Sequence, residues 1–161
     1  MFSKKLVHLL IAALILPLPA CAALNDGIPM PGGDDAGTSL ANTRWRLVSY
    51  GQPGSETPVM EGTGVTLQFV DDSQAGGSGG CNTFGAQYEV SGGNQLSITD
   101  IVSTLMACSD EALMEQETQY LDGLRTAGSF ELSDESLTIH YGGGVLNFSR
   151  VISSTPSTVH I

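Results

Sequence analysis

Short segments in which apolar and polar residues alternate constrain the fold of this chain more than any other feature. Alternation with a period of two puts successive side chains on opposite faces of a strand. Gly-rich segments such as residues 91–94 and 142–144 separate these runs and are typical of tight turns. The apolar positions are Trp45 and Leu47, Val65, Leu67 and Phe69, Leu96 and Ile98, Leu137, Ile139 and Tyr141, and Leu146 and Phe148. The chain therefore predicts several short antiparallel strands.

One segment, between residues 109 and 128, has a helical pattern instead. Ser109 is predicted to cap this helix, and the acids that follow it suit the positive end of the helix dipole. Gly128 is predicted to lie just past its end. Its apolar face is formed by Leu113, Tyr120 and Leu124, with Met114 and Leu121 beside them. Strands, one helix and further strands indicate an α+β fold, either a curved sheet or an open barrel closed by the helix.

The N-terminus predicts export. A basic start precedes an apolar stretch over residues 6–18, which is too short to span a bilayer and fits a signal peptide. Residues 18–21, Leu-Pro-Ala-Cys, resemble a bacterial lipobox, which implies cleavage before Cys21 and attachment of fatty acids to that residue. An ordinary signal peptide cut after Ala22 is the alternative.

The lipobox interpretation divides the chain into four parts. Residues 1–20 are the signal peptide, and residues 21–40 are a lipidated, acidic linker whose Gly, Pro and Asp content predicts flexibility. Residues 41–150 form one domain, and residues 151–161 are a tail. Ala22 after the lipidated cysteine resembles a sorting signal for the periplasmic face of the outer membrane.

The net charge excludes some classes of partner. Residues 21–161 contain four arginines, no lysine and 17 acids, which amounts to a net charge of −13. A surface this acidic repels phosphate backbones, so we expect no nucleic-acid binding. Anionic lipid headgroups repel it as well, so attachment to the membrane is expected through the lipid and not through a basic patch.

Two cysteines remain besides Cys21. In an exported chain, Cys81 and Cys108 predict a disulfide, which restricts the unfolded chain and contributes about 3 kcal/mol. Two buried free thiols are the alternative. No His or Cys lies at metal-ligand spacing from either residue, so we expect no metal site and no cofactor.

Glu117 is the most informative polar residue, because it falls near the centre of the apolar face of the predicted helix. A charged carboxylate in such a place is costly unless it is well hydrogen-bonded. The favoured interpretation is a structural carboxylate that accepts hydrogen bonds from backbone N–H groups or pairs with an arginine. A catalytic acid that faces a cavity is the alternative. No His and no obvious acid partner lies on the same face as Glu117, and no Gly-x-Ser-x-Gly motif supports a Ser/His/Asp triad, so we predict no catalytic residues and no enzymatic activity.

Motifs across the folded part resemble the META domain family, whose members include HslJ-like lipoproteins. The motifs are Thr43-x-Trp45-x-Leu47, Gly80-Cys81-Asn82-x-Phe84, Thr104-x-Met106-Ala107-Cys108 and Glu117-x-x-Tyr120-Leu121-x-x-Leu124. The resemblance implies a small antiparallel β-sheet or cracked β-barrel wrapped around one α-helix. It also implies structural roles for Trp45, Gly80, Asn82, Phe84, Met106, Glu117, Tyr120 and Leu124.

The family is associated with envelope stress and secretion and has no settled biochemical activity. The resemblance therefore implies a monomeric, non-enzymatic module for binding or assembly in the cell envelope. An apolar ligand held in the barrel or an envelope protein are the expected partners. A module that inhibits a protease or another partner through residues 51–64 or 71–80 is one alternative, and an enzyme that uses Glu117 is the other.

Overall fold

Nine antiparallel strands and one helix make up residues 39–152, the part of the chain that the computed structural model describes. The predicted signal peptide, Cys21, the predicted linker up to residue 38 and the predicted tail from residue 153 lie outside these residues. The elements are β1 (Thr43–Gly51), β2 (Thr57–Pro58), β3 (Thr66–Phe69), β4 (Gln74–Ser78), β5 (Thr83–Ser91), β6 (Gln95–Ser103), α1 (Glu111–Arg125), β7 (Ala127–Leu132), β8 (Ser136–Tyr141) and β9 (Gly144–Arg150). This content confirms the prediction of a strand-rich fold with one helix.

Eight of the strands form a closed barrel. The order of pairing is β1-β3-β4-β5-β6-β7-β8-β9, and β9 pairs back with β1, while β2 adds two residues beside β1. The narrowest junction joins β6 to β7 at a single residue pair, Gln95 with Ser129. Because the pairing is continuous around the ring, the strands form a barrel, and a crack in the barrel is not confirmed.

The antiparallel order gives the barrel two distinct ends. At the end that we call the entry end, β1 begins and β9 finishes, and the amide of Val151 donates to the carbonyl of Arg44 at 2.8 Å. At the opposite end, the helix end, α1 follows β6 and precedes β7. The hydroxyl of Tyr120 in α1 donates there to the carbonyl of Thr66, at 3.1 Å, where β3 begins.

Helix α1 covers the helix end with one face. Its buried residues are Gln116, Glu117, Tyr120, Leu121, Gly123 and Leu124, and most of its other residues are exposed. The strands therefore do not surround the helix. Side chains from the strands, with Trp45, Phe69 and Phe130 the largest, fill the interior. No helix within residues 39–152 is long and apolar enough to cross a membrane.

The boundaries of α1 differ from the sequence-based expectation by one to three residues. Asp110 is the cap in place of Ser109, because its extended backbone lets its carboxylate accept from the amides of Ala112 and Leu113. At the other end, Thr126 caps the helix, and Gly128 already belongs to β7.

Residues 71–80, named above as a candidate inhibitory segment, have a glycine content typical of a turn but do not form a single turn. They contain β4, in which Gly77 lies so close to the carbonyl of Thr66 in β3 that a Cβ atom would collide with it. A Cβ on Gly76 would approach the carbonyl of Phe84 in β5 to 2.8 Å. These glycines therefore permit close approach of neighbouring strands, a role that the sequence does not distinguish from turn formation.

Candidate functional site

The turn between β4 and β5 lies directly against α1 at the helix end. Gly79 leaves room for the helix, because a Cβ on it would lie 2.5 Å from Oε2 of Glu117 and would displace that side chain. Gly80 has a φ of +108°, a backbone conformation that side chains rarely adopt. The amide of Gly79 donates to the carbonyl of Asn82 at 2.8 Å and closes the turn. The turn thus aims its backbone N–H groups at the helix.

Glu117 receives those N–H groups. Its Oε2 accepts from the amides of Cys81 at 3.1 Å and Asn82 at 2.6 Å, and its Oε1 accepts from Nδ2 of Asn82 at 2.6 Å. The residue is only 8% exposed, so these three donors replace the water that a charged carboxylate would otherwise bind. The arrangement is that of a structural carboxylate, and both of its oxygens are already engaged.

Asn82 connects Glu117 to the segment that follows β6. Its Oδ1 accepts from the hydroxyl of Thr104 at 2.8 Å and from the amide of Met106 at 2.7 Å. Its Nδ2 also donates to the carbonyl of Met106 at 3.4 Å. All four hydrogen-bonding positions of the buried amide are therefore used within the protein.

A disulfide between Cys81 and Cys108 fixes the far end of the same segment. Together with the Asn82 contacts it holds residues 104–108, which we call the exposed loop, at two points. The cysteines are 27 positions apart in the sequence, and the entropy that this closed loop removes from the unfolded chain corresponds to about 3 kcal/mol of stability.

The exposed loop presents apolar side chains to solvent. Leu105 is 96% exposed and Met106 is 61% exposed, and Val102, just before the loop in β6, is 74% exposed. Large apolar side chains that cluster on a surface are typical of interaction sites. The acids Asp110 and Glu111 follow the loop at the start of α1 and are also exposed.

Comparison of the sequence with known protein families identifies the family of this chain. The sequence matches the META domain over residues 38–152, which is most of the chain. This chain belongs to the META domain family. The family has no known enzymatic activity. No curated protein sequence matches the chain.

The solved structures that resemble this META domain include two NMR structures. One is an NMR structure of a protein from Burkholderia xenovorans, 26% identical, with a TM-score of 0.59, covering 70% of this chain and 83% of the other. The second is an NMR structure of a protein that is 22% identical, with a TM-score of 0.54 and coverage of 68% and 90%. The second likeness concerns the fold alone.

The other motif residues of the META domain pack in its interior. Tyr120 and Leu124 of α1 are fully buried, and the Tyr120 ring meets the Phe84 ring edge-on at 5.9 Å between centroids. Burial raises the pKa of Tyr120 well above its ordinary value. Trp45 is also fully buried and donates from Nε1 to the hydroxyl of Thr43 at 2.7 Å.

Gln116 is a contributor that the sequence-based reasoning missed. It is 1% exposed, its Oε1 accepts from the amide of Met60 at 2.8 Å, and its Nε2 donates to the hydroxyl of Thr63 at 3.3 Å. These bonds attach the connection after β2 to α1. Its position next to Glu117 on the helix was the available signal, but a lone glutamine in a helix is usually exposed.

Proposed function

We propose that this META domain is a non-enzymatic binding module of the bacterial cell envelope that presents the exposed loop to a protein partner. The supporting observation is the contrast between the backbone and the side chains of this loop. The backbone is held by Asn82 and a disulfide, while the side chains of Leu105 and Met106 project into solvent. A loop already ordered in the free protein loses little conformational entropy on binding, which favours affinity.

The partner is a protein and not an apolar ligand inside the barrel. Trp45, Phe69, Tyr120 and Phe130 occupy the interior and are almost completely buried. Side chains that project outward suit an apolar pocket on another protein. The acids beside the loop, Asp110 and Glu111, favour a pocket with a basic rim.

The geometry weighs against the two alternatives. An enzyme that uses Glu117 needs a carboxylate within reach of a substrate, yet three internal donors occupy this one. An inhibitor that acts through residues 71–80 needs a free loop, and these residues contain β4. Residues 51–64 are fastened to α1 through the bond between Met60 and Gln116. The exposed loop is the better candidate for partner contact.

Crosslinking in living cells tests the role of the exposed loop. A photoreactive amino acid replaces Leu105 in one strain and Val70, which is 48% exposed and lies outside the loop, in a control strain. We expect a discrete crosslinked protein from position 105 only. That product should disappear when Met106→Ser is added and persist with Val90→Ser. Equal products from both positions, or none from position 105, would contradict the proposal.

We also propose that lipid on Cys21 holds the module at the membrane, on the periplasmic face of the outer membrane. The supporting observation is the lipobox-like sequence of residues 18–21. The intact mass of the membrane-extracted protein tests this, since fatty acids on Cys21 add a defined mass to residues 21–161. A mass equal to the unmodified polypeptide, or to one that begins after Ala22, would contradict the lipid anchor.

A further inference from the structure

Positive and negative charges are segregated around the barrel. Three of the four arginines of residues 21–161 lie in β1 and β9, which are paired: Arg44, Arg46 and Arg150. Four consecutive strands of the ring, β3, β1, β9 and β8, contain no Asp or Glu, although 14 acids lie elsewhere in residues 39–152. We call the outer face of these four strands the basic wall.

The two arginines of β1 lie side by side on the basic wall. Arg44 and Arg46 are exposed and alternate with buried residues, so both point outward, and Val48 continues the row with 50% exposure. Within residues 39–152, neither arginine forms an ion pair with an acid. Their cross-strand neighbours on β3, Gln68 and Thr66, are uncharged.

Arg150 places a third charge at the entry end, on the inner side of the wall, because its partner in the register is the buried Trp45. Its guanidinium lies 5.3 Å from the centroid of the Trp45 ring and donates to the carbonyl of Asp134 at 3.1 Å. The basic wall is bordered by Glu131 of the adjoining strand β7 and by acids in the adjoining turns and loops: Glu61, Asp71, Asp72, Asp134 and Glu135. These acids limit the basic surface to the strands themselves.

We propose that the basic wall is the surface with which the domain lies on its own membrane, where its arginines bind the phosphates of anionic phospholipids. This inference rests on the lipid tether of the proposed function. The tether would join the barrel at the entry end, where β1 begins next to Arg44 and Arg150. Arginine suits this contact, because its planar guanidinium binds phosphate oxygens in pairs.

The net charge of −13 does not prevent this contact. Salt at physiological strength screens exposed charges beyond about 8 Å, so an approaching membrane responds to the nearest side chains. On the basic wall those are arginines, uncharged residues and His140, whose Nε2 lies 3.1 Å from the carboxylate of Glu131 in β7. The tether keeps the domain close to the membrane, so a weak attraction is enough to select one orientation.

This orientation places the exposed loop on the far side of the molecule. In the ring of eight strands, β6 is the fourth strand from β1 in both directions, so the two strands are diametrically opposite. The exposed loop follows β6 at the helix end. When β1 faces the membrane, Leu105 and Met106 therefore face away from it, toward partners in solution.

Energy transfer from Trp45 measures the orientation directly. Trp45 is the only tryptophan and lies in β1, between Arg44 and Arg46. Residues 21–161, with the disulfide intact, are coupled through the Cys21 thiol to a maleimide lipid in vesicles that carry a dansyl group on their headgroups. One set of vesicles is phosphatidylcholine alone, and the other contains about a third of phosphatidylglycerol.

We expect higher energy transfer on the anionic vesicles and loss of the difference in 0.5 M NaCl. Arg46→Gln should weaken the docked state about fivefold, and Arg44→Gln with Arg46→Gln should abolish it. Arg125→Gln is the matched control, because it removes one exposed charge from α1, which is outside the wall. Equal transfer on both vesicle types, or an equal loss with Arg125→Gln, would overturn the inference. So would transfer that changes with protein density, since that result indicates contact between copies.

The coupled sample separates this inference from the lipid tether itself. Coupling through Cys21 supplies a tether whether or not the cell attaches lipid. Flotation of the native protein with vesicles in 0.5 M NaCl tests the natural anchor alone. Failure of flotation with preserved energy transfer would reject the lipid anchor and keep the basic wall, and the opposite pair of results would reject the wall.

Discussion

At the scale of the residue, Asn82 makes more side-chain hydrogen bonds than any other residue of the candidate site. Its side chain joins Glu117 on α1 to Met106 on the exposed loop, and its own amide also donates to Glu117. Removing such a residue leaves its buried partners without hydrogen bonds, and each unsatisfied group is costly.

We predict that Asn82→Ala destabilises the domain by about 3 kcal/mol, since Oε1 of Glu117 and the amide of Met106 both lose a partner. Urea unfolding at pH 7 measures the loss. Asn147→Ala is the control, because this half-buried residue bonds only to Ser49 and Thr138 within residues 39–152, at 3.1 Å each, and should lose about 1 kcal/mol. Equal losses of unfolding free energy in the two variants would show that the hydrogen bonds of Asn82 contribute no more to stability than those of Asn147.

The buried phenol of Tyr120 leads us to predict how the free energy of unfolding changes at alkaline pH. Burial raises the pKa of its phenol in the folded state, while the unfolded value stays near 10. Because the folded protein retains the proton, its contribution to stability is complete below pH 10 and is lost as the pH rises above 10. We expect Tyr120→Phe to reduce the fall in stability between pH 9.5 and 11, measured by urea unfolding. Tyr141→Phe, at a less buried phenol, should reduce it less, and an identical slope in all three proteins would refute the assignment.

At the scale of the element, the turn between β4 and β5 is shaped to fit α1. Gly79 lies against the carboxylate of Glu117, while Gly85, a few residues later in β5, has open space beside it. The sequence alone does not show which of the two glycines has a neighbour at the Cβ position, because that depends on the residues packed against each one in the fold.

We predict that Gly79→Ala costs about 2 kcal/mol, since its Cβ would displace the Glu117 side chain. Gly85→Ala should change stability by less than about 1 kcal/mol. Urea midpoints compare the two variants, and hydrogen exchange at the Met106 amide reports whether the exposed loop has loosened. A neutral Gly79→Ala with unchanged exchange would show that the turn does not position Glu117.

At the scale of the whole molecule, the barrel closes where the chain begins and ends. The pairing of β1 with β9 brings Val151 within hydrogen-bonding distance of Arg44. A circular permutant with a short Gly/Ser linker between residues 152 and 39 and new termini between Gly92 and Gly93 should therefore unfold in one cooperative transition. New termini between Gly80 and Cys81 should destabilise the protein strongly, because they cut the turn that binds Glu117. Unfolding curves that rank the two permutants in the reverse order would contradict this assignment.

The secondary structure followed largely from local patterns. Alternation identified most of the strands but not β2 or β4, and the apolar face of residues 113–124 identified α1, since both patterns depend on neighbours a few residues apart. The glycines of β4 were misread, because a tight turn and a close approach between strands require the same residue. Ser109 and Asp110 are both residue types that cap helices well, so the sequence does not choose between them. Asp110 is the cap because the helix begins at Glu111.

The sequence by itself determined family membership, the order of the strands and helix, and the unusual position of Glu117 on an apolar face. Only the tertiary structure decided that the barrel is closed, that Asn82 connects Glu117 to Met106, and that Leu105 projects into solvent. The sequence likewise gives the net charge but not where the charged residues lie on the surface. Pairing between β1 and β9, about a hundred residues apart, brings Arg150 next to the strand that contains Arg44 and Arg46, because strand register is fixed by contacts that no local segment contains.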